Sequence, residues 1–99
     1  MANQRVKQEN AEITAFAKAM RARARYGHER VVAEEVPASR FMSVGDMLAG
    51  AQRNLAQVEQ AALLVEQGHG VDMARVLDAA ADASNYLRMA VAKMSPEGK

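Results

Sequence analysis

Apolar side chains recur every three or four residues in three segments of the chain, which is the period of one face of an α-helix. In the first segment these positions are Ile13, Phe16, Met20 and Ala24. The β-branched and aromatic residues that strands favour are sparse. The pattern predicts three helices, over residues 3–26, 43–67 and 71–94.

The second and third segments carry a longer stripe, in which the spacing alternates between four and three residues as in a heptad repeat. The stripe of the second segment comprises Val44, Leu48, Ala51, Leu55, Val58, Ala62 and Val65. The stripe of the third segment comprises Met73, Leu77, Ala80, Ser84, Leu87, Val91 and Met94. Such seams predict that each helix packs lengthwise against another helix.

Local signals mark where these helices begin and end. Ser43 followed by Asp46 has the spacing of an N-terminal capping pair. Gly27 is placed to end the first helix, and the Gly-His-Gly stretch at 68–70 is placed to end the second. Residues 28–42 contain a proline, which predicts a connector between the first and second helices.

The predicted fold is all-α, a single domain over residues 1–99 whose last two helices form a long antiparallel hairpin. A hairpin with one shorter helix buries little apolar surface, and Leu63, Leu64 and Met89 lie outside the seams. We therefore expect a homo-oligomer, most simply a dimer that forms a four-helix bundle.

Composition excludes several classes of protein. The chain has 99 residues and no cysteine, so it carries no disulfide framework and no thiolate nucleophile. No apolar run approaches the roughly 18 residues that span a bilayer, and the N-terminus has no signal-peptide pattern. These features predict a soluble, cytoplasmic protein. The net charge of +1 indicates no particular partner.

Basic residues cluster near the end of the first segment. Lys18, Arg21 and Arg25 share one helical face and are candidates for an interaction surface, with an acidic protein or a nucleotide phosphate as the partner. No aromatic stacking platform accompanies them, so the sequence does not favour nucleic acid as the partner.

A polar face on the third helix carries the candidate chemistry. Asp78, Asp82 and Asn85 lie at positions i, i+4 and i+7, beside the apolar seam. Two carboxylates and an amide on one face suit a hard cation or a nucleotide. The same spacing is also typical of a solvated polar face.

The stretch Ala81-Asp82-Ala83-Ser84-Asn85-Tyr86, with Met89 after it, resembles the third-helix motif of MazG-like all-α nucleoside triphosphate pyrophosphohydrolases, especially the short phage-type members. Phe16 with Met20, and the segment 46–65, resemble the first and second helices of that family. The resemblance implies an all-α fold, a pocket for metal and nucleotide between the helices, and hydrolysis that depends on Mg²⁺.

The departures from that family alter the expected activity. Where its second helix has Glu-Glu-x-x-Glu, this chain has Arg53, Asn54 and Gln57, and Ala79 stands at another acidic position. Asp82 alone remains as a ligand, so we expect no resident metal or other cofactor, and Mg²⁺ only if the chain hydrolyses nucleotides. We further expect Arg53 to pair with Asp82 in place of the cation.

The resemblance thus predicts a non-catalytic nucleotide-binding protein. The residues expected to contact the nucleotide are Arg53, Asn54, Gln57, Asp78, Asp82, Asn85, Arg88 and Lys93. Two alternatives stay open. One is an active pyrophosphohydrolase that uses Asp78 and Asp82 with Glu59 or the pair at 34–35. The other is a helical interaction or inhibitor module.

A second resemblance agrees with ligand capture. The run at 82–86 followed by 90–93 is similar to the last helix of small phage sponge proteins that sequester cyclic-nucleotide signals. The Thr and Glu that precede the run in those proteins are absent here. This resemblance implies capture of a nucleotide signal without naming the nucleotide.

Overall fold

The computed structural model describes residues 2–32 and 42–95, with side chains for residues 3–25 and 42–95. Regular structure within these ranges is entirely α-helical, as the sequence predicts. The helices are α1 (Ala2–Val32), α2 (Val44–Glu66) and α3 (Met73–Met94). None of the three combines the length and apolar character needed to cross a bilayer.

Helix α1 is longer than the sequence pattern predicts. Gly27 does not end it, because the backbone stays helical through Val32. A glycine inside a helix costs about 1 kcal/mol relative to alanine but does not by itself break the helix. The expected connector therefore begins after Val32, and the Glu34–Glu35 pair and Pro37 lie outside the described residues.

Both ends of α2 follow the predicted local signals. The Asp46 amide donates to the Ser43 hydroxyl at 3.0 Å, and the Ser43 amide donates to the Asp46 carboxylate at 3.0 Å. This reciprocal pair is a capping box. At the other end Gly68 takes a φ of 86°, and the His69 amide donates to the Leu64 carbonyl at 2.9 Å. That geometry is a Schellman cap, which requires a residue in the left-handed region.

Helix α3 ends at the predicted residue and begins two residues after the predicted start at 71. Asp72 is the N-cap, and its carboxylate accepts a hydrogen bond of 3.1 Å from the Ala74 amide. Ser95 is the C-cap. The short side chains of Asp72 and Ser95 suit the extended backbone found at both positions.

Helix α3 is the central element, because it packs against both α2 and α1. The buried apolar side chains are mostly small, so the helix backbones lie close together. Gly50 of α2 lies directly against the Tyr86 ring of α3. The buried apolar residues are Met47, Ala51, Ala79, Ala81 and Ala90.

Most of the two predicted seams is not buried within the chain. Ala51 is buried, but Leu55 is 50% exposed, Leu87 48% and Val91 63%. The helices meet instead through a neighbouring face that contains Gly50 and Ala79, where small residues permit close contact. The two seams consequently lie side by side and leave an apolar surface open.

Candidate functional site

The polar face predicted on α3 does form a site of contact, but its partner is α1. Arg23 donates to both carboxylate oxygens of Asp82, from Nε and from a terminal guanidinium nitrogen, each at 2.9 Å. The Arg23 side chain is 36% exposed and the Asp82 side chain 25%. A two-pronged guanidinium–carboxylate pair of this kind is among the stronger and more directional polar contacts.

Asn85 lies one turn further along the same face and is 9% exposed. Its side-chain amide donates to the backbone carbonyl of Met20 at 2.9 Å. Its carbonyl oxygen accepts a longer contact of 3.5 Å from Arg88. We call the group formed by Arg23, Asp82, Asn85 and the Met20 carbonyl the α1–α3 clasp.

The clasp corrects the expected pairing of Asp82. Arg53 was the predicted partner, but Arg23 binds both Asp82 oxygens, and the Arg53 side chain is exposed on α2. The expectation relied on α2 alone to supply the cation. The structure shows that α1 packs on the Asp82 face of α3 and brings its own guanidinium.

A pattern in the first segment could have identified Arg23. Phe16, Met20 and Arg23 are spaced by four and three residues, so they share one face of α1. A cation on the same helical face as apolar residues becomes part of the helix interface. There it needs a carboxylate partner, because an unpaired buried charge is costly. The sequence did not indicate that Arg23 pairs with Asp82, because the two residues are 59 positions apart in the chain.

The remaining predicted nucleotide-binding residues either bind backbone carbonyls or are exposed. Asn54 donates to the carbonyl of Gly50 on its own helix at 2.9 Å. The Lys93 ammonium donates to the Met42 carbonyl. Three further predicted residues are exposed, namely Gln57, Asp78 and Arg88. Nucleotide binding by this set stays a prediction.

Three charged side chains, those of Asp46, Arg53 and Lys93, interact near the start of α2. The Ser43 backbone amide and then its side chain hydrogen-bond to Asp46 and lower the pKa of that carboxyl. Desolvation opposes these hydrogen bonds with a smaller effect on the pKa, and the cations Lys93 and Arg53 lower the pKa by still smaller amounts. Two residues predicted to meet a phosphate therefore lie near the same carboxylate.

An apolar groove runs between α2 and α3. Its volume is about 390 Å³, and its wall is apolar apart from one amide and one hydroxyl. The Ser84 hydroxyl donates to the carbonyl of Ala80, which satisfies it within the helix. The residues that line the groove are Leu48, Ala51, Gln52, Leu55, Val58, Ala80, Ala83, Ser84 and Leu87.

Exposed apolar side chains continue this surface beyond the groove in both directions along α2 and α3. Their exposed fractions range from 39% for Leu48 to 65% for Met73. We call this surface the seam face. It comprises Leu48, Leu55 and Val65 on α2 with Met73, Leu87, Val91 and Met94 on α3.

The seam face and the clasp lie on opposite sides of α3. At 100° per residue, Ala80, Ser84 and Leu87 point one way, whereas Asp82 and Asn85 point the other way. The groove is accordingly left open by α1. Among the described residues, no group of three histidine, aspartate or glutamate side chains is arranged to hold a metal ion.

Comparison of the chain with protein-family models, curated proteins and solved structures found no match. The resemblance to MazG-like enzymes therefore depends on the residues quoted above.

Proposed function

We propose that this protein is a helical interaction module that forms a homodimer through the seam face. The single observation behind the proposal is the open apolar groove between α2 and α3. In this proposal α2 and α3 act as an antiparallel hairpin, and two hairpins pack face to face as a four-helix bundle.

The size of the seam face supports a stable interface. A helix rises 1.5 Å per residue and is about 10 Å wide, so two helices of this length present about 700 Å². Specific interfaces bury about 800 Å² on each partner. The face therefore has roughly the area that one standard dimer interface requires.

The pattern of side chains favours a second copy of this chain as the partner. Leu48, Leu55 and Leu87 project from the face, whereas Ala80 and Ala83 leave spaces between them. Each seam repeats with the four–three spacing that inserts side chains into the gaps of a facing helix. A two-fold axis would place identical seams against each other, which is the commonest form of self-association.

The exposed area of the chain agrees with an uncovered interface. Its accessible surface is 7869 Å². A compact monomer of 10.7 kDa is expected to expose about 5,500 Å². Covering the seam face would remove part of this excess and would hide the apolar groove from water.

The test is the native mass of the protein in solution, by sedimentation equilibrium, for the natural sequence and two variants. Leu87→Glu places a carboxylate in the groove and should give a monomer, because an unpaired charge in an apolar interface is costly. Ile13→Glu makes the same change at a side chain that is 65% exposed on α1, and should leave the dimer intact.

The natural protein should sediment at about twice its monomer mass of 10.7 kDa. Circular dichroism of both variants checks that they remain helical. A natural protein that is monomeric at 100 μM, or a Leu87→Glu variant that is dimeric and helical, would contradict the proposal.

Nucleotide binding is the second candidate, favoured by one observation. Arg53 and Lys93 both act on the Asp46 carboxyl, so each lies within electrostatic reach of one point at the start of α2, where they could hold a phosphate. Bound nucleotide should raise the melting temperature by an amount that grows with the logarithm of its affinity. The rise should be smaller for Arg53→Gln than for Arg75→Gln, which removes a charge elsewhere. Equal shifts in the two variants would reject this site.

A further inference from the structure

The outer face of α1 carries a row of cations that neither the clasp nor the seam face uses. Lys7, Lys18, Arg21 and Arg25 are all exposed. Ala11 and Thr14 complete the row, so that the spacing is four, three, four, three and four residues. We call this row the basic stripe. The sequence pattern predicted an interaction surface only at Lys18, Arg21 and Arg25, which form the second half of the basic stripe.

The stripe is straight and carries one sign of charge. From Lys7 to Arg25 the helix rises about 27 Å at 1.5 Å per residue. Glu9 and Glu12 lie at least about a third of a turn from the stripe at 100° per residue, and Gln8 donates to Glu12 at 3.3 Å on that neighbouring flank. Three of the four cations, Lys18, Arg21 and Arg25, lie within two turns of each other, and Lys7 lies about 16 Å further along the same edge.

The packing of α1 leaves this edge accessible. Arg23 and the Met20 carbonyl bind α3 from the opposite side of the helix. Met20 lies beside Asn85 and Arg23 beside Asp82, so α1 and α3 run in opposite directions. Extrapolating this register, residues 3–10 extend past the end of α3, and all side chains from 3 to 15 are exposed.

From this geometry we infer that α1 binds double-helical DNA through its phosphates. B-DNA presents its phosphates on its outer surface, and the outer face of α1 is open to them at Lys18, Arg21 and Arg25 as well as at Lys7. B-DNA carries one negative charge per 1.7 Å of its axis, so about 27 Å of helix meets phosphates along its whole length. The small side chains of Ala11 and Thr14 permit close approach.

An acidic protein fits the stripe less well. A specific protein–protein interface has an apolar centre with large anchoring side chains. The stripe has no side chain between its cations larger than threonine. Single-stranded nucleic acid requires aromatic side chains on which bases stack, and the stripe has none. Phosphate contacts on a duplex require cations alone.

The experiment is a fluorescence anisotropy titration of a labelled 20-base-pair duplex of arbitrary sequence, repeated between 50 and 300 mM salt. Four phosphate contacts predict that the logarithm of the association constant falls with the logarithm of salt concentration with a slope of about −3.6. Arg21→Gln should reduce the magnitude of that slope by about 1, and the double variant Lys18→Gln/Arg21→Gln by about 2.

Arg75→Gln is the matched control, because it removes the same charge from an exposed arginine on α3. It should leave the slope unchanged. Circular dichroism of each variant confirms that the helices are retained. The result is independent of dimerisation, since the stripe lies on the outer side of α1, and α1 packs on the side of α3 opposite the seam face.

Several outcomes would overturn the inference. They are absence of duplex binding at 50 mM salt, an equal change of slope in Arg75→Gln, or tighter binding of single-stranded than of duplex DNA. Poly-L-glutamate that displaces the duplex at matched charge concentration would assign the stripe to acidic proteins instead.

Discussion

Gly50 is a residue at which α2 lies in tight contact with α3. A Cβ atom added there would lie 2.9 Å from three carbons of the Tyr86 ring, closer than real Cβ contacts allow. The Tyr86 ring is rigid, and its side chain is half-buried. The collision with an added Cβ is therefore removed only when the two helices move apart. Glycine is therefore required here for its small size, since the backbone is an ordinary helix.

Gly50→Ala should destabilise the fold relative to Gly45→Ala by about 1–3 kcal/mol, the usual range for overpacking. At Gly45 the nearest atom to an added Cβ is the Ser43 hydroxyl, at an ordinary 3.6 Å. Both variants gain helix propensity, so their difference isolates the collision with Tyr86. Urea denaturation measures it, and a Gly50→Ala variant as stable as Gly45→Ala would disprove the tight contact.

The two halves of helix α1 differ in how far they are packed against α3. Residues from Phe16 to Ala24 are partly buried where they face α3, and the clasp holds them there. The side chains of residues 3–15 are all exposed. An isolated helix shorter than about 12–15 residues is marginal in water. The N-terminal half therefore depends on its continuity with the packed half.

Amide hydrogen exchange should reveal this difference along α1. Amides of residues 7–14 should exchange at least about ten times faster than those of residues 17–24, because opening the exposed half breaks fewer tertiary contacts. Residues 50–58 of α2 serve as an internal reference for a packed helix. Equal protection along the whole of α1 would mean that another surface covers its N-terminal half. Addition of duplex DNA should slow exchange at 7–14 if the basic stripe binds it.

At the scale of the whole molecule, three helices share one central element and leave much surface open. The radius of gyration of 15.9 Å exceeds the roughly 13 Å expected of a compact domain of this size. The seam face on one side of α3 and the basic stripe on the far side of α1 would let a dimer present two positive edges on its outer surfaces.

Thermal stability should consequently depend on protein concentration. If the seam face is covered in a dimer, the melting temperature rises with concentration, because dissociation is coupled to unfolding. Leu87→Glu should remove that dependence, whereas Ile13→Glu should keep it. Differential scanning calorimetry over a hundredfold range of concentration tests this, and a concentration-independent melting temperature for the natural protein would contradict dimerisation.

The sequence by itself determined the helices and most of their ends. Ser43 with Asp46, Asp72 and Gly68 act on atoms within a few residues of themselves, so their effects can be read locally. The largest local error was at Gly27, because a glycine permits a helix end without requiring one.

Tertiary structure alone decided which faces meet. A stripe at three- and four-residue spacing shows that a helix has an apolar side but does not show what covers it. The seams predicted that α2 and α3 would meet along their large apolar side chains. The two helices instead approach each other more closely on a neighbouring face, where Gly50 and Ala79 are small. Likewise Asp82 needed a cation, and only the docking of α1 selected Arg23 over Arg53. Partners far apart in sequence are chosen by packing, which no local pattern encodes.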